Sequence, residues 1–265
     1  MRYIDPLRSQ RSQYTNEMLK IVRNYRSHVL EVMRNKLRTP DNKLDYEDIG
    51  KALDRLNEVM VRRATDPLKR FTRVGYLRGI DQTIQHLQTE GLAQVNVFFS
   101  KPDEVAIEKL AETAGQYLPD MAKDTKDKII RIVQAGDKEG LGISRIGKNV
   151  YEGINALTIP RAEALATTSL NQAYNYSAFE RVRQMAPYKI WIATHDDRTR
   201  DSHNKMDGVV IETEERFHVP AFKPSKGGRE VPACDLMFPG DVSNDPPLGQ
   251  IINCRCIVSG KMRKS

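Results

Sequence analysis

From Thr15 to Leu37, apolar residues fall at positions 18, 19, 22, 25, 29, 32 and 33, the spacing of one buried helical stripe. Thr39-Pro40-Asp41-Asn42 ends that pattern. A second helix is predicted from Tyr46 to Arg63, with Ile49, Leu53, Leu56, Val59 and Met60 on one side. Asp66-Pro67 then reads as an N-cap followed by the first position of a third helix. That helix carries Phe71, Val74, Leu77, Ile80, Ile84 and Leu87 and stops at Gly91. Residues 1–12 show no periodicity and are expected to form a mobile arm.

The apolar run Val95–Phe99 is too short to assign by period. Ser100-Lys101-Pro102-Asp103-Glu104 signals a new helix, and Pro119-Asp120 separates it from the next, which runs to about Gln134. A turn is expected at Ala135-Gly136-Asp137. Gly142-Ile143-Ser144 leads into a helix with Ile146, Val150 and Ile154 spaced at four. Pro160 opens the last long helix, to about Met185. Its small residues Ala162, Ala166, Ser169 and Ala173 would let a neighbouring helix approach closely.

At Pro187 the period changes. Tyr188–Ala193 alternates as a strand does, and Val209–Ile211 and Phe217–Val219 are further short strands. Gly227-Gly228 and Pro239-Gly240 read as turns, and Ile251-Ile252 and Ile257-Val258 flank a Cys-x-Cys pair. The fold class is therefore α+β: a mostly α-helical N-terminal two-thirds, then a small C-terminal α+β module with short strands and long loops. Three consecutive regions follow from this pattern, 1–100, 101–186 and 187–265.

Charge adds one feature. Nine Lys/Arg against three acids occupy residues 1–40, so that segment holds most of the formal +7. Arg8, Arg11, Lys20, Arg23, Arg26, Arg34, Lys36 and Arg38 are candidate phosphate contacts, or equally a solvated face meeting an acidic partner. No apolar run approaches the ~20 residues that span a bilayer, and the first residues lack a signal-peptide stretch, so action in a cytoplasm is expected. All three cysteines, Cys234, Cys254 and Cys256, lie near the C-terminus, and their odd number suggests reduced thiols rather than a disulfide framework.

The densest chemistry spans residues 191–256. Asp197, Arg198 and Arg200 share a short segment, from which an arginine is expected to clamp Asp207 or Asp241 bidentately. His203, Cys254 and Cys256 are soft metal donors, with Cys234, His195 or His218 available as a fourth zinc ligand. The other reading packs the thiols as small core residues with His203 as a hydrogen-bonding staple. A rival enzyme reading uses Cys254 or Cys256 as nucleophile, His203 as base and an Asp as its orienter. Walker-type, His-Glu-x-x-His and Gly-x-Ser-x-Gly patterns are absent from the sequence.

The ordered set Asp197, Arg198, Arg200, Ser202, His203, Asp207, Gly208, Pro239, Gly240, Asp241, Asn253, Cys254, Arg255 and Cys256 resembles the phage Mu F-like head morphogenesis family of tailed bacteriophages. The resemblance covers about residues 140–258, including Gly142-Ile143-Ser144 and Arg161–Ser169. In the latter, Thr167 and Ser169 stand where the family usually has Arg and Glu, so that helix is expected to serve packing only. The resemblance implies a minor head protein without catalysis, bound to the portal and to major capsid or scaffolding protein. It also implies residence inside the virion head near the portal, with double-stranded DNA as a further contact and no membrane during assembly. A DNA-binding protein acting in packaging or ejection is the alternative role.

Overall fold

A computed structural model describes residues 5–36, 45–92, 99–224 and 227–263. Five helices come first: α1 (Arg8–Lys36), α2 (Tyr46–Thr89), α3 (Lys101–Gly115), α4 (Tyr117–Lys138) and α5 (Ile143–Met185). A loop-rich segment follows, with β1 (Tyr188–Ile192), α6 (Asp201–Asn204), β2 (Val210–Glu212) and β3 (Phe217–Val219). It ends with β4 (Cys234–Leu236), α7 (Leu248–Ile251) and β5 (Ile257–Lys261). The predicted α+β class, helical first and then a small antiparallel module, is the observed one.

The chain divides into two compact units that interleave along the sequence: residues 1–12, 69–111 and 164–265, and residues 13–68 and 112–163. The second unit is helical, and its core is built from stripes. Tyr14, Met18, Val22, Tyr25, Val29 and Met33 are buried at steps of three and four along α1. Ile49, Leu53, Met60 and Leu68 do the same on α2, as do Leu118, Met121, Ile129 and Val133 on α4. Helix approach is close where glycines stand: a Cβ on Gly153 would lie 2.4 Å from Ile132 Cδ1, and one on Gly136 would lie 2.6 Å from Ile146 Cγ1.

Four sequence expectations change here. Residues 5–12 are ordered rather than an arm: Leu7 is fully buried, its N–H donates to Asp5, and Arg11 pairs with Asp5. The breaks expected at Asp66-Pro67 and Pro160 are absent, and both prolines lie inside continuous helices. A proline costs a helix one backbone hydrogen bond. Buried Ala64 and Leu68 on either side of Pro67, and Thr158 and Ala162 on either side of Pro160, keep each helix packed through that loss. Asp45 takes the capping role instead, accepting the N–H groups of Glu47 and Asp48 at 3.0 Å each. The turn expected at Ala135–Asp137 lies within α4, because Gly136 is needed for the approach of Ile146. The stop is Gly140 at φ 68°, with Leu141 N–H donating to Gly136 O. Residues 95–98 of the Val95–Phe99 run, and Thr39–Asn42, lie outside the described residues.

In the first unit, α2 ends at Gly91 as predicted, with φ 100° and Leu92 N–H bonded to Leu87 O. Around Ala173, the last residue of the small-residue stripe, α5 is met by glycines on α2. A Cβ on Gly75 would sit 2.7 Å from Leu170 O and 3.4 Å from Ala173 Cβ, and one on Gly79 only 2.2 Å from Tyr174 O. At the head of α3, Asp103 accepts from Ser100, from Tyr76 Oη at 2.8 Å and from Arg181 at 2.7 Å. Burial would raise its pKa, but these bonds hold it below the ordinary carboxylate value.

Two small antiparallel sheets complete this unit. The order β2-β1-β5 pairs Tyr188 with both Glu212 and Lys261, and β3 pairs with β4 through Val219 and Cys234. On β1, Lys189 and Trp191 face inward. Trp191 stands edge-on to Phe217 at 5.4 Å. Lys189 lies 4.8 Å from the Phe179 ring and 5.2 Å from that of Phe217, its amine without a hydrogen-bond acceptor among the described residues. β4 was not predicted: Cys-Asp-Leu is too short to show alternation.

Candidate functional site

Two tight turns and α6 place the site. Phe238-Pro239-Gly240-Asp241 closes with Asp241 N–H on Phe238 O at 3.1 Å, Gly240 at φ 87°. Proline second and glycine third suit a type II turn. Met206-Asp207-Gly208 brings Gly208, φ 75°, back to β1, where its N–H donates to Trp191 O at 2.9 Å. α6 is one turn long and buries Ser202 and His203.

Asp207 and Asp241 are satisfied, but not by the predicted arginines. Asp207 accepts from Ala193 N–H and from His195 Nε2, both at 2.8 Å. Asp241, 3% exposed, accepts from Met237 N–H at 2.9 Å and Ser243 N–H at 2.8 Å, with Arg216 at 3.3 Å. Arg200 instead donates to Ile252 O. Asp197 and Arg198 are exposed and make no side-chain hydrogen bond or ion pair among the described residues. The clamp that does form joins Arg255 to Asp196, bidentate, with one bond at 2.6 Å. It pulls the Asp196 carboxyl down to about 2, Arg255 being the chief cause. The segment carrying Asp196 and Arg200 is a turn rather than a strand, so their directions were not legible from alternation.

The C-terminal segment is anchored by amides of α5. Asn175 donates to Pro239 O and to Cys256 O at 2.8 and 2.9 Å, and accepts from Val258 N–H at 2.9 Å. Asn171 donates to Cys256 O at 2.8 Å. Thr168 Oγ1 accepts from the N–H of Asn253, whose φ of 61° is one that asparagine tolerates. Gln250, fully buried, accepts from Ser202 and donates to Pro220 O and Pro232 O. The expectation that this helix only packs is therefore too narrow, because its polar side chains carry backbone bonds of the loops. Sequence reasoning missed Asn171, Asn175 and Gln250. The available signal was Asn171 and Asn175 four apart, on a helix otherwise rich in small and apolar residues.

His203, Cys254 and Cys256 come together as predicted. Their donor atoms lie within 4.8 Å of one another, and all three residues are buried. His203 Nδ1 is 3.5 Å from both sulfurs, and Nε2 has no hydrogen-bond partner among the described residues. Cys254 is held low by the Cys256 thiol that donates to it, helped by His203 and Arg200, while the same bond raises Cys256. Among the described residues, the candidate fourth ligands go elsewhere. Cys234 sits on β4, its thiol raised to about 11 by burial and by Asp235 and Asp241. His218 bonds Asp235, and His195 bonds Asp207. The enzyme reading also loses a member. No carboxylate orients His203 among the described residues, and both thiols are at most 2% exposed.

The basic candidates divide. Arg8, Lys20, Arg23 and Arg34 are exposed. Arg11 is buried beside Asp5, which removes it as a phosphate contact. Arg26 donates to Asn155 at 2.7 Å and lies over the Tyr151 ring. The Lys36 side chain and Arg38 lie outside the described residues.

Residues 124–259 match the sequence model of the phage Mu protein F like proteins. This chain belongs to that family. It is 25% identical over 132 residues to the minor head protein GP7 of Bacillus phage SPP1. It is 29% identical over 157 residues to the NAD(+)--arginine ADP-ribosyltransferase EFV of Enterococcus faecalis. An uncharacterized protein of Methanocaldococcus jannaschii is 25% identical over 158 residues. These matches cover 46%, 57% and 59% of this chain, and only 42%, 28% and 21% of the respective relatives. No solved structure matches the chain significantly. No helix among the described residues is long and apolar enough to cross a membrane.

Proposed function

We propose that this chain is a minor head protein of a tailed phage that works by position rather than catalysis. It docks on the portal during assembly, beside major capsid or scaffolding protein, and is packaged in the head. The observation that carries the reading is the family match over residues 124–259, supported by a relative named as a minor head protein. The match to a relative named as an ADP-ribosyltransferase does not alter the reading. It spans only 28% of that relative, so the transferase activity is not carried over to this chain. The site's own construction agrees: Asp196, Asp207 and Asp241 are taken up in turns and ion pairs, and Cys254 and Cys256 are buried.

Co-expression with the portal and major capsid proteins of the same phage, followed by sedimentation and mass spectrometry, tests this. The chain is expected in portal-containing particles at a low fixed copy number. Its absence from particles in every combination would overturn the assignment.

DNA is the further partner we assign, through the exposed Lys20, Arg23 and Arg34 of α1. Binding to duplex DNA should then fall steeply between about 50 and 200 mM salt, as counterion release demands. Affinity indifferent to salt would remove DNA from the account.

A further inference from the structure

We propose that His203, Cys254 and Cys256 form a three-donor site for a thiophilic divalent metal of the zinc class. Zn–S bonds of about 2.3 Å and Zn–N bonds of about 2.0–2.1 Å at a tetrahedral angle put nitrogen and sulfur about 3.5 Å apart. His203 Nδ1 stands 3.5 Å from Cys254 Sγ and 3.5 Å from Cys256 Sγ. A single N–H directs its hydrogen well at one sulfur, whereas a metal bonded to all three atoms makes one nitrogen equidistant from two.

Burial points the same way. His203 is 1% exposed and Cys254 and Cys256 at most 2%, so Nδ1 and the two sulfurs face one another away from solvent. Thiols are weak donors and acceptors and compensate that desolvation poorly, whereas one metal bonded to all three atoms satisfies them together. A metal bond at Nδ1 also fixes the tautomer with the proton on Nε2, and Trp191 packs against the ring at 5.3 Å, near perpendicular. Charge is consistent as well: two thiolates neutralise a divalent ion, so the neighbouring Arg200 guanidinium meets no net positive centre. On binding, each thiol gives up any proton it still carries to solvent, and no other bond changes.

Three protein donors leave one coordination position, which a water or small anion fills. The donors come from α6 and from the segment before β5, 51 and 53 residues apart in sequence. The metal would therefore clip the loop-rich segment closed. This inference stands apart from the assembly role, since either can fail alone.

The test uses the whole chain without a histidine tag, purified with reductant and without chelator. Elemental analysis should find about one zinc per chain, and cobalt(II) exchange should give a thiolate-to-cobalt charge-transfer band with tetrahedral d–d intensity. Cys254→Ser and Cys256→Ser should each weaken that band. Because both residues are buried, their circular dichroism is checked, and Cys234→Ser serves as the variant outside the set, expected to keep both metal and band. Less than about a tenth of an equivalent of zinc together with no cobalt band in the folded wild-type chain would overturn the site. Loss of the band in Cys234→Ser alone would overturn the ligand set.

Discussion

The helical unit of residues 13–68 and 112–163 and the C-terminal segment of the other unit are held together in opposite ways. The first relies on apolar stripes, with Met18, Val22, Val29, Leu53 and Ile129 almost wholly buried. Its ion pairs, such as Lys126–Asp54 and Arg161–Asp124, lie at the surface and add little. The second has strands of only three to five residues, so it gains little from ladders. There, single amides such as those of Asn175 and Gln250 each bond two or more chain segments. Stripes tolerate small volume changes because many contacts share the strain. An amide that satisfies three backbone groups has no substitute, and its loss leaves buried polar atoms unpaired.

Substitutions at close-packed glycines sharpen this contrast most. In Gly79→Ala the new methyl meets Tyr174 O, a backbone atom, at 2.2 Å, so α2 and α5 must separate, at about 3 kcal/mol or more. Gly153→Ala in the helical unit meets only the flexible end of Ile132, and urea denaturation should show a loss of under about 1 kcal/mol.

Asn175→Ala comes next, with an expected loss of about 3 kcal/mol, since Val258 N–H and Pro239 O lose their Asn175 partner together. A change below about 0.5 kcal/mol would mean that water replaces the amide, and the contrast would fail.

Lys189 makes a smaller effect of opposite sign. Burial lowers its pKa to about 8, chiefly by desolvation. The folded state then binds fewer protons than the unfolded one between about pH 8 and 10.5, so stability rises with pH across that window. Lys189→Met should therefore stabilise by about 1–2 kcal/mol at pH 7, with the gain shrinking towards pH 10. Unfolding midpoints at the two pH values check this.

The Asp196–Arg255 pair closes the series. Its carboxylate is depressed to about 2, so its contribution is present above about pH 4 and is lost as pH falls towards 2. Asp196 is 39% exposed at its side chain, so screening limits Asp196→Asn to under about 1 kcal/mol.

The same contrast explains what the sequence disclosed. Period reveals a stripe, so α1, α2 and α5 were legible, although Pro67 and Pro160 suggested breaks that packing overrides. The strand-turn punctuation of β1, β3 and Pro239-Gly240 was legible too. His203, Cys254 and Cys256 were named by residue type as soft donors, and the fold brings them together. Partner choice was not legible. Whether Asp207 meets an arginine or His195 depends on loop directions such as the positive φ of His195, which no period encodes. Asn171 and Asn175 were passed over for a related reason: their spacing of four was visible, but a polar residue on a helix is ordinarily assigned to solvent.

Hydrogen exchange on wild type and Asn175→Ala tests most directly whether α5 amides hold the C-terminal segment. Protection at Val258 and along β5 should collapse in the variant, while α1 and α4 between residues 13 and 138 keep theirs. Equal loss in both regions, or none at Val258, would contradict the account.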